Sequence, residues 1–216
     1  MTKVLLEHEG RAMLEAAGLT NVPGQFYATR NDLIGAAHTL NYPVVLKIVS
    51  PDVIHKSDFG GVRLNIKNAT SLLLEYDEMI EIIYGQVPNA RITGVLVTEQ
   101  VTAQAEIIVG STTDPQFGPV IMVGLGGIFV EIFKDLSFGI APIDHQEARS
   151  MLQSLKALPI LEGSRGRKQV NMDALVDLVV KVSELVMEHN IAEMDMNPIF
   201  CVDDDILVGD VRIMMN

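Results

Sequence analysis

Apolar residues recur at helical spacing in "LLEHEGRAMLEAAGLTNVPG", at Leu5, Leu6, Met13, Leu14 and Ala17, and Gly18 and Pro23 supply stop signals. A short amphipathic helix is predicted there. "NDLIGAAHTLN" repeats the pattern with Asn31 as candidate cap, and "YPVVLKIVS" is a branched run that reads as a buried strand. After a glycine loop and a further strand, "NATSLLLEYDEMIEIIYG" is a third helix with Leu73, Tyr76, Ile80 and Ile83 at core spacing. From Ala90 the texture changes to strands: "ARITGVLVTEQV", "AEIIVGSTTD" and "PVIMVGLGG" predict an antiparallel meander. "DHQEARSMLQSL" opens on Asp144 with Glu147 three positions later, a capping-box arrangement. "LEGSRGRKQVN" is a polar loop, and "MDALVDLVVKVSELVMEHN" is the most strongly periodic helix of the chain. Two last strands, "IAEMDMNPIFCV" and "ILVGDVRIMM", flank the acidic turn from Asp203 to Asp205.

These elements predict two α+β lobes, Met1 to about Gln86 and Val87 to Asn216, with a ligand cleft between them. The 216 residues, 48% of them hydrophobic, suffice to bury a core. A formal charge of −12 argues against surface-wide attraction to nucleic acid or to an anionic membrane, so any phosphate ligand has to be held locally. The single cysteine, Cys201, excludes an internal disulfide and every multi-cysteine metal site, and it reads as a small buried apolar residue. Acidic residues interrupt the N-terminal segment, and no run reaches the ~18 apolar residues of a membrane span. The expectation is a soluble, cytoplasmic protein.

Four constellations can carry chemistry. Lys47 lies within the apolar strand "VVLKIVS", where an unpaired ammonium would cost several kcal/mol; it needs an anion, or it snorkels to solvent from the strand end. "IHKSDFGGV" combines His55 and Lys56 with the glycines Gly60 and Gly61, whose amides can face phosphate oxygens. A histidine in such a loop can be an acid, a base or a phosphoryl-accepting nucleophile, and it can equally be incidental. Glu99 ends one strand and Glu106 begins the next, suiting an adenine edge and ribose hydroxyls, although solvated carboxylates on a hairpin are commonplace. Asp195 and Asn197 share a strand face, with Asp210 on the strand after the turn; such oxygens suit Mg²⁺ or are ordinary edge residues.

In order along the chain, "YPVVLKIVSPDVIHKSDFGGVRL", "GVLVTEQV", "AEIIVGSTTDPQFGPVIMVGLGGIFVE", "KDLSFGIAPI", "LEGSRGR" and "EMDMNPIF" resemble the β subunit of ADP-forming acetyl-CoA synthetase, also called acetate:CoA ligase. That subunit is an ATP-grasp domain related to the β subunit of succinyl-CoA synthetase. The resemblance runs from about Leu5 to Ile213. It implies an ATP-grasp fold in which two α+β lobes clamp a nucleotide. Lys47 is then the phosphate lysine, Lys56 a second cation, and the loop at Gly60 and Gly61 covers the phosphates. Glu99 with the backbone around Val101 matches the adenine hinge, and Glu106 the ribose-binding acid. Asn197 and Asp210 match Mg²⁺ ligands, with Asp195 a nearby acid, whereas Gly126 and Gly127 keep a structural-turn reading.

The implied reaction is acyl-CoA plus ADP plus phosphate going reversibly to free acid, CoA and ATP. His55 is implied as a phosphohistidine that takes the phosphoryl group from a histidine of a CoA-binding α subunit and passes it to ADP. The CoA-binding and ligase-like domains have no room in this chain, so the resemblance implies an α₂β₂ or larger complex. Two other classes stay open: a nucleotide-sensing module without turnover, and a stand-alone ATP-grasp ligase joining a carboxylate to an amine. Retention of His55, Asn197 and Asp210 argues against the first.

Overall fold

The computed structural model describes residues 3–127, 134–163 and 168–216, so parts of "GLGGIFVE" and "LEGSRGR" lie outside the described residues. The chain divides into two compact units, Val22–Gln100, and Met1–Asn21 together with Val101–Asn216. This differs from the expected boundary at Gln86. The first helix joins the C-terminal unit, and the strand that follows Gln86 belongs to the N-terminal sheet.

Within Val22–Gln100 the strands β2 (Gly24–Tyr27), β3 (Val44–Val49), β4 (Val62–Ile66) and β5 (Gly94–Glu99) form an antiparallel sheet in the order β2-β5-β3-β4. β5 therefore does not begin a meander with the strands after it. Its residues Val95–Thr98 are buried, and a branched run suits a strand covered on both faces. Helices α2 (Arg30–Ala37) and α3 (Ala69–Gln86) bury Leu33, Ala37, Leu72, Met79 and Ile83 against Leu46, Ile48, Val95 and Val97. The α3 positions Leu73, Tyr76 and Ile80 flank that stripe. The cap of α2 is Thr29, two residues before Asn31: its hydroxyl accepts from the Asp32 amide at 3.1 Å, and the Asp32 carboxylate accepts from the Thr29 amide at 3.0 Å.

The other unit is built on a seven-stranded antiparallel sheet. Its path is β1 (Lys3–Val4), β11 (Val211–Met215), β9 (Ile191–Val202), β6 (Ala105–Asp114), β7 (Gly118–Leu125) and β8 (Leu136–Ile140). β10 (Asp205–Val208) also pairs with β9. The expected strand "ILVGDVRIMM" is thus two strands. Gly209 divides them, because its amide donates to Pro198 O at 2.8 Å and a Cβ there would stand 2.6 Å from the Phe200 ring. β9 consequently pairs with β10 through Ile199–Val202 and with β11 through Ile191–Met196.

Helices α1 (Glu7–Ala16), α4 (His145–Gln153), the short α5 (Leu158–Leu161) and α6 (Met172–Glu188) belong to this unit. The apolar stripe of α6, including Leu175, Val179, Val182 and Val186, packs into a core with Ile107, Val109, Met194, Met196, Ile199 and Ile213. Burial of each such side chain stabilises by about 1.5–3 kcal/mol. Asn171 and Asp144 cap α6 and α4, accepting from the amides of Ala174 at 3.1 Å and Glu147 at 2.8 Å. The buried Ser183 hydroxyl accepts from the Ile143 amide at 2.8 Å, so this polar group within the core is satisfied. Among the described residues no helix is long and apolar enough to cross a membrane.

Candidate functional site

Lys47 sits in the middle of β3 and is 7% exposed, so the side chain does not reach solvent. It pairs with Val62 on β4 and Leu96 on β5. Strand alternation puts Lys47, Val62 and Leu96 on one face of the sheet, and Val44, Leu46 and Ile48 on the face that α2 and α3 cover. A cation held on the face away from the helices is placed to meet an anion there.

β3 runs directly into the histidine loop. Ile48 N donates to Gly61 O at 2.8 Å, which returns the end of the loop to the strand position beside Lys47. Inside the loop Asp58 N donates to His55 O at 3.1 Å, Gly60 N to Ser57 O at 3.2 Å and Gly61 N to Lys56 O at 2.6 Å. These bonds correct one expectation, since the amides of Gly60 and Gly61 are occupied within the loop and do not face outward to phosphate. The glycines have a different physical role. Gly60 takes φ 68, and a Cβ on Gly61 would stand 2.5 Å from Ile48 Cγ2. They close a tight tip that carries His55 exposed and Lys56 half-buried.

Glu99 falls on the other face from Lys47. It is opposite Val44 in the register, and its carboxylate accepts from Asn41 Nδ2 at 3.1 Å beside a recess of about 250 Å³ lined by Tyr27, Thr39, Leu40 and Val97. A nucleotide on the Lys47 face would meet the peptide groups at the end of β5 and not this carboxylate. Val101, which opens the second unit, is half-buried.

The second unit puts Glu106, Asp195 and Asn197 on the sheet face away from the helical core, with Asp210 at the strand connection within reach of Arg11 on α1. Glu106 is exposed, and its carbonyl accepts from Gly126 N at 2.6 Å. A Cβ on Gly127 would lie 3.7 Å from the Glu106 carboxylate, so the two glycines form a turn against this residue. Asp195 stands opposite Gly110 on one side and Arg212 on the other. Loss of water around its carboxyl, followed by the negative charge of Asp210, raises its pKa, while Arg212 works in the opposite sense. The Asn197 amide donates to Asp210 O at 3.2 Å, which brings both residues to the junction of β9 and β11. Asp195, Asn197 and Asp210 are thus brought together.

Arg212 was not singled out from the sequence, although Asp210 and Arg212 are two apart in "VGDVR" and period 2 gives the signal. It pairs with Glu193 at 3.4 Å and supplies a cation on the Asp195 face. Behind Asp210, Arg11 of α1 is buried; burial lowers its pKa, and the charges of Glu7, Glu15 and Asp210 offset that. Among the described residues no three His, Cys, Asp or Glu side chains form a metal cage. The donor set fits a hard cation that takes one or two protein oxygens and completes its shell with phosphates and water, as Mg²⁺ does. Burial pushes the Cys201 thiol up to about 12, which leaves it protonated and unreactive at neutral pH.

Two α+β units, one with a buried strand lysine beside a glycine-closed loop and the other with Asp195 and Asn197 on one strand and Asp210 beside them, define an ATP-grasp protein. The model of the ATP-grasp domain family matches residues 1–215. The chain is 44% identical over 214 residues to the β subunit of ADP-forming acetate–CoA ligase I of Pyrococcus furiosus, covering 98% of this chain and 91% of that one. It belongs to this family of ATP-grasp β subunits. It is also 44% identical over 208 residues to the ADP-forming acetate–CoA ligase I of Archaeoglobus fulgidus, where it spans 96% of its own length but 30% of the relative's. The acetyl-coenzyme A synthetase 1 of Candidatus Korarchaeum cryptofilum, solved with coenzyme A and Ca-AMPCP, superposes with a TM-score of 0.94 at 40% identity, covering 99% of this chain and 94% of that one. A structure of that enzyme with coenzyme A and Mg-AMPPCP has its phosphohistidine segment pointing towards the nucleotide-binding site; it matches with a TM-score of 0.84 at 38% identity, covering 99% of this chain and 93% of that one.

Proposed function

We propose that this chain is the nucleotide-binding catalytic β subunit of an ADP-forming acyl-CoA synthetase with acetyl-CoA as the leading substrate: acyl-CoA, ADP and phosphate give carboxylate, CoA and ATP. The observation that carries the reading is an exposed histidine on a closed tip whose base is tied beside a buried lysine. The lone-pair nitrogen of the neutral His55 imidazole attacks phosphorus as the bond to a partner histidine breaks, and its other nitrogen keeps its proton. In the second step a β-phosphate oxygen of ADP attacks, the N–P bond to His55 breaks, and His55 regains its lone pair as ATP forms. While phosphorylated, the ring carries a formal positive charge beside the anionic phosphoryl group, and it is neutral again once the N–P bond breaks.

Catalysis is then a matter of positioning and electrostatics. Lys47 and Lys56 supply positive charge, with Gly60 and Gly61 shaping the tip. The Gln100 carbonyl and the Val101 amide serve the adenine, since the amides of Glu99 and Gln100 donate to Pro23 O and Pro43 O, and Glu106 serves the ribose. Asn197 and Asp210 would hold Mg²⁺, which when bound neutralises charge on the nucleotide phosphates. Asp195, with Arg212 opposite, tunes the charge near those ligands. The relatives that are β subunits, and the longer chains in which this domain is one part, support a CoA-binding partner. We assign the complex as α₂β₂ or larger.

Reconstitution with a CoA-binding partner tests the reading. Acetyl-CoA, ADP, phosphate and Mg²⁺ should give sustained ATP formation that His55→Ala abolishes. ATP formation at the wild-type rate in that variant contradicts the carrier role, and no turnover with any acyl-CoA favours a nucleotide-sensing module.

A further inference from the structure

Three bonds close the His55 tip on itself, and among the described residues no side chain holds the imidazole. Its position therefore depends on how the closed tip is held, by Phe59 packing against the core and by the two feet. At the first foot Asp52 is three residues before His55, and both of its carboxylate oxygens are engaged by Arg91. Oδ2 accepts from the Arg91 amide at 2.7 Å and from Nε at 3.0 Å, and Oδ1 accepts from Nη2 at 2.7 Å. Isolated surface ion pairs contribute little, but a fork on both oxygens together with a backbone bond has a single geometry. Thr93 N donates to Val49 O at 2.9 Å, so the end of β3 and the approach to β5 are tied twice. Val53, the next residue, is 2% exposed within the core of this unit. The Arg91 hydrogen bonds hold the Asp52 carboxyl down at about 2, so the pair persists through neutral pH. At the second foot Arg63 Nη1 donates to Gly60 O, and its Nε is held at 3.1 Å by Glu75 of α3.

We propose that the Asp52–Arg91 pair, with Arg63 at the far foot, is the positioning device of the histidine tip. These residues anchor the two ends of the segment that presents the imidazole, touch no reacting atom, and act through the backbone on either side of His55. The proposal rests on the reading of His55 as phosphoryl carrier for its catalytic consequence, though not for its structural one. A misplacement of about 1 Å can cost about 100-fold in a group transfer, so anchoring at both feet matters even though the tip itself is closed.

The test uses the whole chain with γ-labelled ATP and Mg²⁺, running the nucleotide half-reaction in reverse and following label at His55, with His55→Ala as the blank. Asp52→Ala, Arg91→Ala and the double variant are compared. Each single change should slow the saturating labelling rate about tenfold while leaving the nucleotide concentration at half-saturation unchanged, consistent with a displaced near-attack geometry. The double variant should be no slower than either single one, because the pair acts as a unit. Arg91→Lys keeps the charge without the fork and should recover only part of the rate. Hydrogen exchange at amides 55–61 gives an independent readout and should quicken in the Ala variants. Wild-type labelling and wild-type exchange in both single variants overturn the proposal. If wild-type chain takes no label while exchange quickens in the variants, the carrier reading fails and the anchor stands. If the Ala variants do not fold, Asp52→Asn, which keeps an acceptor for the Arg91 amide, decides by the same two readouts.

Discussion

The two units present their chemistry in opposite ways. In Val22–Gln100 the candidate nucleophile stands exposed on a loop tip, with the lysine fixed in the preceding strand. In the other unit Asp195 and Asn197 lie two apart on β9, and Asp210, just before β11, is brought to them by the bond from Asn197 N to its carbonyl. A group that accepts from one partner and donates to another benefits from a tip, while ligands for a hard cation benefit from a rigid sheet. Asp195 and Asn197 are exposed as His55 is, so the difference lies in the backbone, a loop tip for the candidate nucleophile and a strand for these two residues.

The comparison can be broken at its rigid half first. Asp210→Ala should lower ATP formation by about 100-fold or more, since several kcal/mol of charge stabilisation depend on the metal ligands. Raising Mg²⁺ should restore part of that loss, and a Mg²⁺ titration of initial rate measures it. Lys47→Met keeps the length of the side chain and removes the buried charge. It should lower the rate about 100-fold at a temperature where the variant stays folded, and a wild-type rate there would contradict a role for its charge.

Gly61→Ala attacks the other half, because its Cβ would press on Ile48. A cost of about 1–3 kcal/mol is expected, read as a lower urea midpoint. The smallest effect belongs to Asp195→Asn. The native pKa of Asp195 is raised, so the folded state holds this proton more tightly than the unfolded chain. As pH rises through that window the folded state loses stability, and the whole penalty is present at neutral pH. The variant should be no less stable than wild type at neutral pH and should converge with it in acid, read from thermal midpoints at the two pH values. Its activity should fall at the same time.

Element types were legible where the period was strong. The α6 stripe and the buried run Val44–Val49 follow directly from their residues. The division into units was not, because the affiliation of "ARITGVLVTEQV" depends on which sheet needs a strand covered on both faces, and no local period expresses that. Two short pieces, β1 and β2, carry too few residues to show alternation. At the candidate site, the pairing of Asp195, Asn197 and Asp210 followed from period 2 and one turn. The orientation of the Gly60 and Gly61 amides did not, since glycine permits both closing a turn and facing an anion. Asp52 and Arg91 are 39 positions apart, and only the fold brings them together.

The most direct test of the central claim is phosphoryl capture. Chain incubated with γ-labelled ATP and Mg²⁺ should take up one acid-labile, base-stable phosphate at His55, which ADP discharges as ATP and which a CoA-binding partner with CoA and acetate also discharges, yielding acetyl-CoA. Label on another residue, or full acetyl-CoA-dependent ATP synthesis by the His55→Ala chain, would contradict the account.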